Sequence, residues 1–328
     1  MYLASCSECN APQGMFTSYD ELTIAITNKK ICWNCDTNFI SSSSGSLINL
    51  VIGEFQDSQT LIDKSKDFWN YDWEDKYVKW LDEKKVEISE KTKNQYLSVR
   101  DSIKKQFEKS PLWVELSKKL GDFHYEYKAH KNGYNLLMSL ELPELDEKKY
   151  DSFFLKTFRK NILQNNNPFE EPDDGWIFPD NWYTKINDIV RTCFVVKYLD
   201  GVDFLANKIE KICDEKNIDY VTSFEAKEEG YYAAHISVLQ NFAVPGPSWD
   251  STNINVWIEI QITTQLQEVI RKLLHSYYED KRKTIVKEDV KWQWNYKSNE
   301  FATNYLGHIL HYVEGMIVEI RDKDEVIL

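Results

Sequence analysis

Residues 255–263, "NVWIEIQIT", alternate strictly: Val256, Ile258, Ile260 and Ile262 share one face of a strand, and Trp257, Glu259, Gln261 and Thr263 share the other. A carboxylate and an amide on an otherwise strand-like face require a sheet with one dry side packed by other elements and one side left for chemistry. The run "YYAAHISVL" upstream has the same parity, with Tyr231, Ala233, His235 and Ser237 opposite Tyr232, Ala234, Ile236 and Val238. If these two strands pair as a hairpin through residues 243–254, Tyr231, His235, Glu259 and Gln261 line one surface. Sequence does not fix the register, because a slip of one residue turns every side chain over.

The elements around this pair follow in the order strand (190–199), helix (202–216), strand (218–224), strand (231–242), strand (255–263) and helix (265–283). The fold class is therefore α+β, a mixed β-sheet flanked by helices. The last helix is well specified: Thr264 with Gln267 forms a capping box, and Leu266, Val269, Ile270, Leu273, Leu274 and Tyr277 make one apolar stripe. Arg271, Lys272 and His275 lie off the stripe and read either as solvated helix surface or as donors to an anionic substrate.

Four of the six cysteines fall in two knuckles, Cys6-x2-Cys9 and Cys32-x2-Cys35. Each knuckle bends the chain so that both sulfurs face one point, and two knuckles put four thiolates around one tetrahedral zinc. A disulfide pair would need an oxidising compartment, and nothing at the N-terminus resembles an export signal. Cys193 and Cys213 lie in apolar periodic segments and read as small buried residues. The polar run "SSSSGS" at 41–46 reads as a flexible join. Residues 58–130 follow with helical spacing of Phe68, Trp69, Trp73, Val78 and Trp80, then Ile103, Phe107, Leu112, Val114 and Leu116; the tryptophans read as packing rather than as a base-stacking platform. "NNNPFEEPDDG", 165–175, is a loop by its turn residues. The expected organisation is a zinc ribbon over 1–45, a helical region over 46–150 and the mixed-sheet domain over 151–328.

At 328 residues and 42% hydrophobic, the chain is large enough for one sizeable core and a smaller unit. No apolar run approaches the roughly 20 residues of a membrane span, so a cytoplasmic location and no membrane partner are expected. A net charge of −13 disfavours extended binding to nucleic acid while leaving room for a local phosphate pocket.

Three pieces, "INDIVRTCFVVKYLDGVDFL", "IDYVTSFEAKEEGYYAAHISVL" and "WIEIQITTQLQEVIRKLLHSYYE", together resemble the synthetase domain of the RelA/SpoT family, over about residues 186–280. That family's pattern is an Asp opening a strand, a Gly-Tyr-x-x-x-His segment, and Glu-x-Gln-Ile ending a strand before a helix. The resemblance implies a nucleotidyltransferase-like fold and an ATP-dependent pyrophosphokinase, which moves the β,γ-pyrophosphate of ATP to a ribose 3′-hydroxyl, usually of GDP or GTP, and releases AMP. A toxic branch of the family acts on the 3′ end of tRNA.

By the same resemblance, Asp188 coordinates Mg2+, Tyr231 stacks on the acceptor base, and Glu259 holds Mg2+ and helps deprotonate the attacking hydroxyl. His235 and Gln261 support these groups or touch phosphates. The chemistry is coherent, since pyrophosphoryl transfer needs hard carboxylate ligands for magnesium, cations on the phosphate oxygens and a base near the nucleophile.

The chain departs from the family at two places: Thr263 stands where an Arg is usual, and Arg191 where a Gly or Ala is usual. The family's basic ATP-gripping run has no close copy. The nearest is "LKTFRKN", whose Lys156, Arg159 and Lys160 recur at helical spacing, with Lys185 and Lys197 as further donors; the run reads equally as a solvated helix face. Two functions stay open: an active pyrophosphokinase, with ATP and either GDP/GTP or tRNA as substrates, Zn2+ and Mg2+ as cofactors and a regulatory protein as a further partner, or a catalytically idle sensor that binds nucleotides or a partner.

Overall fold

The computed structural model describes residues 1–41, 47–55, 61, 64, 68–70, 72–167, 170–245, 251–273 and 291–324. The serine-rich join beyond Ser41, Pro168 and Phe169 of the expected loop, and the last helix beyond Leu273, with Leu274, His275 and Tyr277, lie outside the described residues. The chain forms two compact units that interleave along the sequence. One holds Met1–Asn94 and Tyr150–Trp182; the other holds Gln95–Lys149, Tyr183–Lys283 and Lys287–Leu328.

The first unit carries a three-stranded antiparallel sheet in the order Pro12–Phe16, Tyr2–Cys6, Leu50–Glu54. Beside it lies the helix Tyr19–Lys29, whose N-cap Ser18 accepts from the Glu21 amide. The two cysteine knuckles are built alike. In each, the amide four residues after the first cysteine donates to that cysteine's carbonyl (Asn10 to Cys6, 2.9 Å; Asp36 to Cys32, 3.1 Å), and each of these donors sits at φ 58°, the left-handed conformation that Asn and Asp tolerate best. The tryptophans of the helical region do pack: Trp69, Tyr77 and Trp80 form one buried cluster with Phe154, Phe158 and Trp176. The buried Asn161, in a π-helical turn over Arg159–Leu163, donates to Tyr77 Oη (2.8 Å) and to the Ile177 carbonyl (3.0 Å).

The second unit is a five-stranded mixed sheet. In chain order its strands are β1 (Asp146–Glu147), β2 (Val190–Val196), β3 (Tyr220–Ala226), β4 (Tyr232–Pro245) and β5 (Ser251–Thr264). Their spatial order is β1-β2-β5-β4-β3, with β5 parallel to β2 and antiparallel to β4. Its helices are α1 (Glu90–Phe107, in this unit from Gln95 on), α2 (Pro111–His130), α3 (Leu199–Lys216), α4 (Gln265–Leu273) and α5 (Asn299–Asp324). The alternation read from the sequence holds: Ile258, Ile260, Ile262, Ile236, Val238, Phe194 and Val196 are buried on the dry face, where α3 packs with α2 behind it. The capping box forms as expected, the Gln267 amide donating to Thr264 Oγ1 at 3.3 Å. No described helix is long and apolar enough to cross a membrane.

Candidate functional site

The register sets the site. In β4 and β5 Gln261 faces His235 and Glu259 faces Ser237, and across the parallel pair Glu259 faces Arg191 and Gln261 faces Cys193. Arg191, Cys193, His235, Glu259 and Gln261 thus share the face opposite the dry one.

A hydrogen-bonded chain runs over this face. Tyr231 Oη lies 2.8 Å from His235 Nε2, His235 Nδ1 lies 3.1 Å from Glu259 Oε1, and Gln261 Nε2 donates to Glu259 Oε2 at 2.7 Å. An imidazole that donates from Nδ1 to the carboxylate keeps Nε2 as acceptor for the tyrosine hydroxyl, so one tautomer satisfies both neighbours. Burial acts to raise the pKa of Glu259, but the hydrogen bonds from His235 and Gln261 outweigh it, together with repulsion from Asp188, and hold the carboxyl below the usual glutamate range. Glu259 is therefore ionised at neutral pH although it is only 8% exposed. For Tyr231, burial drives the phenol pKa upward and Glu259 adds to the effect, so its hydroxyl stays protonated.

Asp188 sits in the turn just before β2, buried, with Oδ2 2.9 Å from Lys148 Nζ. Lys148 is held firmly. Its carbonyl accepts from Tyr96 Oη (2.9 Å) and Arg100 Nη1 (3.2 Å), and its amide donates to the Ile189 carbonyl (2.9 Å). Arg100 in turn pairs with Glu147 at 2.9 Å. Lys148 was not among the residues singled out by sequence; in "LDEKKYDS" it reads as one charge in a mixed run, and only its approach to Asp188 distinguishes it.

The turn that presents Tyr231 is closed by two hydrogen bonds, Lys227 N to Tyr231 O (3.0 Å) and Gly230 N to Lys227 O (2.9 Å). Gly230 takes φ +78°, which a side chain would resist. The inner face of α5 grips this turn. Gly307 packs directly on Gly230, His308 Nδ1 bonds Tyr232 Oη (2.8 Å) and its Nε2 bonds the Glu228 carbonyl (2.9 Å), and His311 stacks flat on Tyr232 with centroids 3.6 Å apart. None of these α5 residues was legible as part of the site, since they lie some 70 residues downstream and carry no motif.

Thr263, the departure from the family pattern, is buried and donates to the Tyr232 carbonyl at 3.1 Å. Arg271, in the last turn of α4, forms a two-pronged pair with Glu268 (2.6 and 2.9 Å). Its positive charge partly offsets the burial-driven rise of the Tyr231 phenol pKa. Of the expected phosphate donors, Lys185 and Lys197 belong to this unit. Lys156, Arg159 and Lys160 belong to the first unit, on the helix Tyr150–Phe158 and the π-helical turn that follows.

In the first unit, Cys6, Cys9, Cys32 and Cys35 place their sulfurs within 4.8 Å of one another, with Cys6 to Cys35 and Cys9 to Cys32 both at 3.6 Å. A tetrahedral zinc with Zn–S of about 2.3 Å needs S···S edges of about 3.8 Å, so this set has the right size. The Gln13 amide (3.2 Å) and the Asn34 backbone amide (3.4 Å) point at the Cys32 sulfur and would stabilise it as a thiolate. Cys213 is buried as read from the sequence, whereas Cys193 is half-buried and lies on the open face of the sheet; burial pushes both thiols up to about 12.

No protein-family model matches the chain, and no curated protein does. Among solved structures it is similar to small alarmone synthetase 1 from Bacillus subtilis (19% identity, 65% of this chain and 91% of that one, TM-score 0.42) and to the same enzyme bound to its product pppGpp (19%, 67% and 99%, 0.41). It is also similar to a GTP pyrophosphokinase family protein from Streptococcus pneumoniae (17%, 73% and 95%, 0.43).

Proposed function

We propose that this chain is a magnesium-dependent pyrophosphokinase that transfers the β,γ-pyrophosphate of ATP to the ribose 3′-hydroxyl of a guanosine nucleotide. The observation that carries this reading is the chain Tyr231–His235–Glu259–Gln261 on the open face of the sheet, with the buried Asp188 near enough to repel Glu259 electrostatically. Two acids that repel each other in a partly dry site are what a hard divalent cation neutralises, so Asp188 and Glu259 fit as magnesium ligands. When bound, that ion would offset charge on the transferred phosphate oxygens.

The residues of the chain divide the remaining work. A carboxylate held below the ordinary range is a good metal ligand and a weak proton acceptor at neutral pH, so metal ligation is the stronger of the two roles expected of Glu259. His235 fixes the orientation of both Glu259 and Tyr231. Lys227 lies 5.6 Å over the Tyr231 ring, and Tyr231 is the aromatic side chain of this face proposed to stack on the acceptor base. Arg191, Lys148 and Arg271 are the cations of this unit that the site's own electrostatics and contacts support as phosphate donors, Arg271 in place of the cation lost at Thr263. Lys156, Arg159 and Lys160 remain the proposed triphosphate clamp from the sequence. The cysteine set would hold one structural zinc.

The test is incubation with γ-labelled ATP and, separately, GDP, GTP and tRNA. Label on the guanosine nucleotide with release of AMP supports the reading. Label on tRNA alone would move the chain to the toxin reading, and binding of nucleotides without any transfer would make it a sensor. The acidic net charge of −13 argues against the many phosphate contacts that tRNA would need.

A further inference from the structure

The helix α5 is amphipathic the wrong way round for a surface helix. Its inner positions, spaced three and four apart, are polar or small: Asn304, Gly307, His308, His311, Glu314 and Arg321, of which Asn304, Glu314 and Arg321 are buried. Arg321 is nearly closed off from solvent, bound to Asp200 (2.7 Å) and Asp322 (2.8 Å), and it anchors the end of the helix. The outer positions are apolar. Leu306, Ile309, Val313, Met316 and Ile320 follow one another at spacings of 3, 4, 3 and 4 residues, and all five are exposed. Tyr305, Tyr312 and Ile317 widen the same stripe on both sides.

That spacing averages 3.5 residues, the repeat that keeps a seam facing a second helix over several turns. The stripe is also too large to be incidental. The exposed fractions of these eight residues, 36 to 69%, correspond to roughly 700 Å2 of side-chain surface, above the ~300–600 Å2 of the largest patch on an ordinary monomer and close to the ~800 Å2 that each partner gives to a standard interface.

We infer that the outer face of α5 pairs with the same face of a second copy of this chain, antiparallel about a two-fold axis at Val313. Two such stripes buried together remove roughly 1,400 Å2, within the range of specific, stable interfaces. The direction follows from charge. The exposed charges of the helix, Glu319 and Lys323, lie in its last turns, beside Asp322 and Asp324, while positions 302–309 on the outer face carry none. An antiparallel pair sets each charged end against the other copy's uncharged end and Leu306 near Ile320. A parallel pair would set Glu319 against Glu319 and Lys323 against Lys323. A self-paired stripe is isologous, so it closes on itself and leaves no apolar surface for further growth.

The test is the mass of the full-length chain by sedimentation velocity at micromolar concentration. The wild type should sediment as a dimer, and Ile309→Glu combined with Met316→Glu should sediment as a monomer with an unchanged circular dichroism spectrum, since both side chains are exposed. Cross-linking with a short bismaleimide gives the geometry: Val313→Cys should form covalent dimers well above the wild-type background, and Ala302→Cys should not. A wild-type monomer would overturn the inference, because the stripe would then be covered within the chain or by a different protein. A double variant that stays dimeric would place the interface elsewhere, and equal cross-linking at 302 and 313 would overturn the antiparallel arrangement.

Discussion

Gly307→Ala tests how tightly α5 holds the turn that presents Tyr231. A Cβ at this position would lie 3.0 Å from the carbonyl carbon and 3.1 Å from the Cα of Gly230, and closer still to its oxygen. Carbon atoms in ordinary contact sit about 3.5–4.0 Å apart, so helix and turn must separate by about 0.5–1 Å. All the atoms involved belong to the backbone, and Gly230 at φ +78° has little freedom to yield. Overpacking of this kind costs ~1–3 kcal/mol, offset by the ~1 kcal/mol that replacing a helical glycine returns.

Gly315, on the same helix, supplies the reference, because a Cβ there meets nothing within 4 Å. Gly315→Ala should gain about 1 kcal/mol from helix propensity alone. The two variants should therefore differ by about 1–3 kcal/mol, read as a lower Tm for Gly307→Ala by about 2–4 °C per kcal/mol in a unit of this size. A displacement approaching 1 Å at a positioning element reduces turnover by up to ~10²-fold, and this loss should appear with Gly307→Ala and not with Gly315→Ala. Equal melting temperatures for the two variants would refute the close approach of α5 to the turn, whatever the activity shows.

Glu259→Gln and Asp188→Asn keep side-chain volume and should each lower pyrophosphoryl transfer by on the order of a hundredfold or more while the far-ultraviolet dichroism stays unchanged; a variant near the wild-type rate removes that residue from the site. Metal analysis of the purified chain should find one zinc, lost in the Cys32→Ser, Cys35→Ser double variant, and zinc retained in that variant would disprove the four-cysteine site. Acid stability should depend on Glu259. Its folded pKa lies below the unfolded value of about 4.3, so its contribution is present above that pH and is lost as pH falls through the lower, folded pKa. Denaturant titrations between neutral pH and about pH 3 should show a shallower acid loss in Glu259→Gln than in the wild type, and identical slopes would contradict the depressed pKa.

Local patterns in the sequence already determined which face of each strand is dry, the Thr264–Gln267 cap, the two cysteine knuckles, and that His235 shares a face of its strand with Ser237 while Glu259 and Gln261 share a face of theirs. Each of these follows from periodicity or from bonds that span a few residues, so no distant segment has to be placed to read them. Register was the first thing left to the tertiary structure. With Gln261 opposite His235, Glu259 falls diagonally from the imidazole and accepts its Nδ1, whereas a slip of two residues would keep the face and break that bond. The same holds for Lys148 on Asp188 and for the grip of Gly307, His308 and His311 on the turn that presents Tyr231. These contacts join segments 40 to 80 residues apart through packing, and a lysine, a glycine or a histidine carries no local mark of which distant backbone it will meet. Which segments gather into which unit was decided in the same way, by long-range burial that leaves each segment's own pattern unchanged.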